Sequence, residues 1–341
     1  MQYKGIKVNV ITGFLGSGKT SLIKQLLANA PANETWAVLV NEFGEVGIDG
    51  DLLADTGVAI KQVPGGCLCC VSSAAFSVGL NELIKTAKPD RILIEPTGIG
   101  HPHQIVAQLS AAHYHNVLEV CATLCLVDAR NLSNPRYLGH PAFFDQIDDA
   151  DILIASKADT YEDGIAQRFI DFAKQFDPAK AVIALSAHGE CDPAWLDVPR
   201  LASSTDHDHD HDHDHDHDHD HDHDHEHQHS AKTFTSQPAP GAVCYLKRDL
   251  EMGSIGWVIE PQWQLSQARF TQLLEWLTAQ PSFWRFKGTL QVDGHMKQVN
   301  VTSTESYETR SDDSLSSRFE CIFSESSDFD ELQAELNKQL F

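Results

Sequence analysis

Basic residues are in short supply. The 341-residue chain has 25 Lys and Arg against 49 Asp and Glu, for a formal charge of −24. That argues against a nucleic-acid binder, which needs basic patches for phosphates. Much of the excess sits in one place: residues 206–226 hold ten Asp and one Glu alternating with His, yet the remainder is still acidic. Long apolar runs are also missing. Nothing reaches eighteen consecutive apolar residues, so no membrane span is expected. The start, "MQYKGIKVNVITG", has neither the apolar core nor the small-residue cleavage site of a signal peptide. Cysteine is scarce, eight in all, and Cys69 and Cys70 are neighbours, an awkward start for a disulfide framework. Reduced thiols in a cytoplasmic setting are expected, with ligation or reactivity as their use.

What is present suffices for two domains with buried cores. Over residues 1–201, short β-branched runs alternate with helical patterns, as in parallel α/β domains. "KVNVIT" (7–12), "WAVLVN" (36–41), "RILIEP" (91–96), "TLCLVDA" (123–129), "DILIAS" (151–156) and "AVIALS" (181–186) read as buried strands. Leu22, Ile23, Leu26 and Leu27 share a helical face, as do Phe169, Phe172 and Phe176. Residues 202–241 are too polar to pack a core and read as a His/Asp-rich linker. Residues 242–341 read as a smaller α+β domain, with five strand candidates, the helix "SQARFTQLLEWLTAQ" and a last helix, "DFDELQAELNKQL". The expected fold class is α/β: a P-loop NTPase domain with a mainly parallel sheet, followed by that α+β domain.

"GFLGSGKT" fits G-x-x-x-x-G-K-[ST] from Gly13 to Thr20, between a strand and a helix. Gly13, Gly16, Ser17 and Gly18 let backbone N–H groups meet phosphate oxygens. Lys19 neutralises β/γ charge, the Thr20 hydroxyl is placed for Mg²⁺, and Ser21 completes the nucleotide-binding run. The base is suggested by "SKAD". The Asp159 carboxylate can accept from guanine N1–H and its 2-amino group, and Lys157 can lie along the base. Asn is usual where Ser156 stands, which weakens support of that loop without changing the base. "IEPTG" ends another strand with Glu95, able to hold a Mg²⁺-bound water, and with Gly98, whose N–H can approach the γ-phosphate. Asp128 competes for the metal-supporting role; Glu95 is preferred.

"PGGCLCC" (64–70) puts three thiols within four residues, in the interval where nucleotide switches reorder. Cys67, Cys69 and Cys70 offer a soft tripod one or more donors short of the four Zn²⁺ needs. Glu42 and Glu45 are the nearest candidates to complete it. Buried small hydrophobes, the reading given to Cys121 and Cys125, and a redox site are the alternatives.

In order, "ITGFLGSGKTS", "NEFGEVGID", "GGCLCC", "IEPTGIGHP" and "SKAD" resemble the CobW-type GTPases, metal-chaperone relatives of the nickel-insertion GTPases, above all their zinc-binding YeiR branch. The likeness extends along the whole chain, since "WRFKGTLQVDG" (284–294) is similar to the CobW C-terminal domain. It implies Mg²⁺-GTP binding, slow GTP hydrolysis and transition-metal binding at the thiols. By position it carries Cys67, Cys69 and Cys70 over as zinc ligands, Gly16 to Thr20 as phosphate contacts, and Glu42 as a metal-linked switch residue. The client does not carry over.

The tract His207, His209, His211, His213, His215, His217, His219, His221, His223, His225, His227 and His229 offers weak, multiple metal sites feeding the thiolates. His101, His103, His113 and His115 are further candidates. The functional expectation is a zinc-binding GTPase whose nucleotide state controls metal delivery, with Lys19, Thr20 and Glu95 as its catalytic residues. Glu45 and Asp49 are the guesses for orienting water. An unidentified client metalloprotein and a nucleotide-dependent homodimer are the expected partners; nucleic acid and membrane are not. A zinc buffer or sensor, a small-molecule kinase, and cobalt or nickel as cargo stand as alternatives.

Overall fold

The computed structural model describes residues 4–42, 58–64, 73–201, 233–248, 252–310 and 316–341. In the first of two sheets, β1 (Ile6–Thr12), β2 (Trp36–Glu42), β3 (Ala59–Pro64), β4 (Arg91–Glu95), β6 (Leu124–Asp128), β7 (Ile152–Ser156) and β8 (Val182–Leu185) run in the order β3-β2-β4-β1-β6-β7-β8, and the short β5 (Leu118–Val120) also pairs with β1. Every pairing is parallel. Central strands such as β4, β6 and β7 are buried at every position, as apolar strands covered on both faces must be. Successive residues of β2 divide between the faces. Val38 and Val40 join Leu22, Ile23, Leu26 and Leu27 of α1 (Lys19–Ala28), while Ala37 and Leu39 join Phe76, Leu80 and Ile105 on the other side.

The second sheet is antiparallel, with β14 (Ser306–Arg310), β13 (His295–Thr302), β12 (Phe283–Val292), β15 (Ser317–Ser324), β11 (Met252–Ile259), β10 (Ala242–Arg248) and β9 (Thr233–Ala239) in that spatial order. The helices Gln267–Ala279 and Phe329–Leu340 cover one face. Phe270, Leu273, Leu336 and Leu340 meet Trp257, Phe286, Phe319 and Phe323 there. The architecture is therefore a P-loop-type parallel α/β sheet joined to an antiparallel sheet with helices on one face.

Four strands depart from the sequence reading: β3, the short β5, β9 and β14. Residues 202–241 were expected to be linker throughout, yet Thr233–Ala239 is β9 and pairs with β10. Its Pro238 disguised it: proline ends a ladder in a central strand but is tolerated on an edge, and β9 is an edge. The polar β14 is the opposite edge. β3 was not expected either. No helix among the described residues is long and apolar enough to cross a membrane.

The two sheets share a core. Phe14, between β1 and α1, packs with Tyr137, Phe143, Val127 and Leu153, and the same cluster takes in Met252, Trp284 and Ile322 from the antiparallel sheet. Trp284 is the bridge: its ring lies edge-on to Phe14 at 5.3 Å and to Tyr137 at 5.4 Å, with the Arg136 guanidinium 3.8 Å from its centroid. Trp284→Ala should lower stability by about 3–5 kcal/mol, the usual cost of truncating a buried aromatic. Urea unfolding followed by circular dichroism checks this, and an unmoved midpoint would remove Trp284 from the shared core.

Candidate functional site

Parallel strands send all their C-terminal ends to one edge of the sheet, where open α/β folds hold ligands. β1 delivers the loop Gly13–Thr20 there, β4 delivers Glu95, β6 delivers Asp128 and β7 delivers Ser156 to Asp159. β1 lies directly between β4 and β6. The loop therefore has Glu95 on one side and Asp128 on the other.

The loop's geometry requires glycine at Gly13. Its φ is +140°, and a Cβ there would lie 2.4 Å from Leu126 O and 2.5 Å from Ser17 Oγ, closer than any side chain tolerates. Lys19 is buried and its ammonium donates to Gly13 O at 2.8 Å and more weakly to Phe14 O at 3.5 Å. Burial pulls its pKa down to about 8; Glu95 opposes that shift and Arg285 of β12 adds to it. The Thr20 hydroxyl donates to Glu95 Oε1 at 2.9 Å. Burial pushes the Glu95 carboxyl up, against the pull of Lys19 and the bond from Thr20. Among the described residues, Glu95 Oε2, Ser17 Oγ and Thr12 Oγ1 are buried without a hydrogen-bond partner. Orphaned polar groups are costly and uncommon in folded proteins. Here they surround an ammonium at a helix N-terminus, a donor and acceptor set that fits phosphate and a hard cation.

Asp128 is engaged elsewhere. Both its oxygens accept from Arg130, Oδ1 at 2.8 Å from Nε, and Lys157 Nζ lies 3.4 Å from Oδ2. Burial alone would raise its carboxyl, but the Arg130 hydrogen bonds and the Lys157 charge outweigh that and hold it below its ordinary value. Glu95 is thus the carboxylate that touches Thr20, and Asp128 pairs with Arg130 and with Lys157 of the loop 156–159.

In that loop Lys157 adopts a left-handed conformation, φ +59°. Asp159 Oδ1 accepts from the His188 N–H at 3.3 Å, and Ala158 N–H donates to Ser186 O at 2.9 Å, which ties the loop to the turn after β8. Ser156 Oγ has no partner among the described residues. Tyr161 supplies support instead, donating to Ser156 O and accepting from Ala129 N–H at 3.1 Å.

The thiol cluster Cys67, Cys69 and Cys70 lies outside the described residues, as do Glu45, Asp49, the Glu42 side chain and the histidines from His207 to His229. The flanking backbone is described. Glu42 ends β2 in register with Pro64, which ends β3, so both strands end at the sheet edge that carries the phosphate loop. Three strand spacings separate β3 from β1, about 14 Å. Among the described residues no group of three His, Cys, Asp or Glu could hold a metal ion. His101 pairs with Asp145 at 2.7 Å, His103 lies 3.3 Å from Asp149, His115 bonds Ser110 O at 2.7 Å, and His113 packs on Tyr114. Cys121 and Cys125 are buried in the core, as expected.

The model of the family described as "CobW/HypB/UreG, nucleotide-binding domain" matches residues 7–184, more than half of the chain. The chain belongs to the CobW/HypB/UreG family. It is 49% identical over 194 residues to "Zinc chaperone YeiR" of Escherichia coli (strain K12), a stretch that is 57% of this chain and 59% of the relative. Identity to "Zinc chaperone CobW" of Pseudomonas aeruginosa is 30% over 217 residues, covering 54% of this chain and 57% of that one. The matched region thus spans less than two thirds of these relatives' own length. The solved structure of Zn(II)-bound YjiA GTPase from E. coli aligns over 98% of this chain and 99% of that one, at 17% identity and a TM-score of 0.41.

Around its phosphate loop this CobW-family chain gathers residues that no motif marks. Arg130 follows Asp128, and Arg285 and Glu305 come from the second sheet. Arg285 and Glu305 are hidden from any local pattern by their distance along the chain from the loops they meet; Arg130, two residues after Asp128, simply belongs to no motif.

Gly98 is the other glycine that the site requires. A Cβ there would lie 2.8 Å from Leu15 Cδ2 and 3.0 Å from Leu15 N, pressing on the phosphate loop's backbone. Gly98→Ala should cost about 1–3 kcal/mol, as overpacking does, and weaken binding of inorganic pyrophosphate. Calorimetric titration alongside thermal unfolding tests both, and unchanged pyrophosphate affinity would show that the loop gives way without consequence.

Proposed function

We propose that this CobW-family chain is a GTPase whose nucleotide state sets its hold on zinc and thereby controls delivery to a client metalloprotein. The observation that carries the reading is the preformed cradle of Lys19, Thr20, Ser17 and Glu95: Thr20 is bonded to Glu95 Oε1, while Ser17 Oγ and Glu95 Oε2 are buried without a partner among the described residues. The zinc part is supported by the names of its relatives, which are zinc chaperones, and by the soft donors of Cys67, Cys69 and Cys70. Guanine is favoured by Asp159, on a loop anchored through Ser186 and His188.

The chain's own part is chiefly positioning and charge. Lys19 places an ammonium on the β/γ side of the triphosphate, and the loop N–H groups meet its oxygens. Thr20 and Glu95 are the residues that would hold Mg²⁺, whose charge offsets that of the phosphate oxygens. Asp159 accepts from the guanine edge and Lys157 lies along the base. Glu42 ends β2, the neighbour of β4, and β3 lies beside β2, so the strand that leads into "PGGCLCC" belongs to the same sheet as the cradle. The His207–His229 tract captures the cation weakly at many imidazoles, zinc being the cargo. The setting is cytoplasmic, and a nucleotide-dependent homodimer together with the client completes the cycle.

The deciding experiment uses the chain lacking residues 206–229, so that weak imidazole sites do not mask the thiolates. Its zinc affinity is taken by chelator competition without nucleotide, with GDP, and with a non-hydrolysable GTP analogue, next to phosphate release from GTP and ATP. GTP is hydrolysed in preference to ATP, and zinc affinity differs between the GTP and GDP states by roughly 5–150-fold, the usual range of site–site coupling. Equal zinc constants in all three states would make the chain a buffer with an uncoupled nucleotide site.

Acid–base linkage at Lys19 gives an independent check. The free chain loses this ammonium's proton near its pKa of about 8. Bound phosphate favours the charged form and raises that value. At about pH 8–9 nucleotide binding should therefore take up a proton, and affinity should fall as pH rises through this window while staying flat below it. Titrations in two buffers of different ionisation enthalpy measure the uptake directly. Identical heats would show that Lys19 is already fully protonated.

A further inference from the structure

The turn between β13 and β14 stands on the base-side loop of the other sheet. Thr302 ends β13, and its hydroxyl oxygen accepts from the N–H groups of Thr304 at 3.3 Å and Glu305 at 3.2 Å, while its own N–H donates to Glu305 O at 2.8 Å. Those bonds make the tip a tight, self-supporting turn. Its first residue touches the phosphate loop: a Cβ built on Gly16 would lie 3.1 Å from Thr302 Cγ2. Its last reaches the base-side loop, where Glu305 Oε1 accepts from Arg130 and Oε2 from Lys157. With Asp128 holding the same two cations, two positive and two negative groups close a neutral quartet. Asp128 is buried within it, and the other three are partly buried.

Lys157 is the lysine that must lie along the guanine base. Its backbone is held in the left-handed region, which restricts where the side chain leaves the loop. An ammonium paired with Glu305 and Asp128 points at the second sheet and is not free to follow the base. We infer that Glu305 and bound guanine nucleotide compete for Lys157, so that nucleotide binding opposes docking of the β13–β14 turn on the first sheet. The inference rests on the guanine-nucleotide reading above and adds its regulation. Glu305 acts through Lys157 and is a positioning residue. A nucleotide that draws Lys157 away leaves the Glu305 carboxylate with Arg130 alone and loosens the turn. By linkage, anything that lifts the turn, a client protein included, tightens nucleotide binding by the same factor.

The test takes the full chain with Glu305→Gln, Glu305→Ala and Glu305→Asp, and with Tyr307→Ala as a control on the exposed face of β14. GDP affinity is measured by calorimetry. Removing the competing carboxylate should tighten GDP binding roughly 3–30-fold in the Gln and Ala variants. Glu305→Asp should return part of the way, and Tyr307→Ala should not move. Hydrogen exchange supplies a readout that lost packing alone would not reproduce. Amides of residues 302–306 should exchange faster when GDP is added to the unsubstituted chain, and should already be fast in Glu305→Gln without nucleotide. GDP affinity unchanged or weakened in both variants overturns the inference, as does slower exchange of the turn on GDP binding. If the unsubstituted chain binds neither GDP nor GTP, the guanine reading itself falls and takes the inference with it.

Discussion

The site depends on the parallel register of β1 between β4 and β6. Pairing Val10 with Ile94 and Thr12 with Cys125 sets the phosphate loop, Glu95 and Asp128 at one height on the sheet edge. No side-chain contact could gather those groups if the register slipped, because a one-residue shift sends every side chain to the opposite face. The register is held by strands apolar on both faces, whose slippage would expose Val10, Ile94 or Leu126 to helices shaped for other neighbours. Core packing in this domain is thus also what aligns its chemistry.

Charge is managed differently at the two ends of the edge. On the phosphate side the protein buries an ammonium and a carboxylate, Lys19 and Glu95, and leaves polar atoms without partners. That arrangement costs stability, since a buried, incompletely satisfied polar group is expensive. The cost is recovered when a ligand supplies the missing bonds. On the base side Asp128, Arg130, Lys157 and Glu305 satisfy one another. Among the described residues, one end keeps buried polar atoms unpaired and the other neutralises its charges internally.

Legibility in the sequence followed the range of the interactions. Gly13 to Thr20, Glu95 and Ser156 to Asp159 could be read because strand ends and local motifs place them within a few residues of a recognisable period. Five of the apolar strands of the first sheet could be read for the same reason, since buried β-branched runs have few other uses; β8, read as buried too, is an edge strand with Val182 to Ala184 half-buried and Leu185 exposed. β9 could not, because Pro238 and its polar neighbours look like linker unless one knows that this strand lies on an edge, and edge position is a property of the whole sheet. β14, "SYETR", is hidden likewise. Arg285 and Glu305 were out of reach altogether. Glu305 sits in "TSTES", 148 residues from Lys157, and nothing in that polar turn distinguishes it from any other hairpin tip. What separates Glu95 from Asp128 was equally hidden: the Arg130 guanidinium bonds Asp128, while Glu95 accepts from Thr20.

The ring contact between Phe14 and Trp284 has a consequence for how this architecture can be recombined. Phe14 stands at one of the unspecified positions of the phosphate-loop motif, which the motif leaves open to any residue. In this chain it is not open, because Trp284 of the antiparallel sheet lies against it and Tyr137 and His140 fill in around both. Gly16, equally unconstrained by the motif, must stay small to admit Thr302. The two domains are therefore not interchangeable modules. A chimera pairing this first domain with another family member's second domain would have to bring a matching aromatic and a matching turn, and libraries that randomise the phosphate loop alone would lose the joint between domains before they lost the loop.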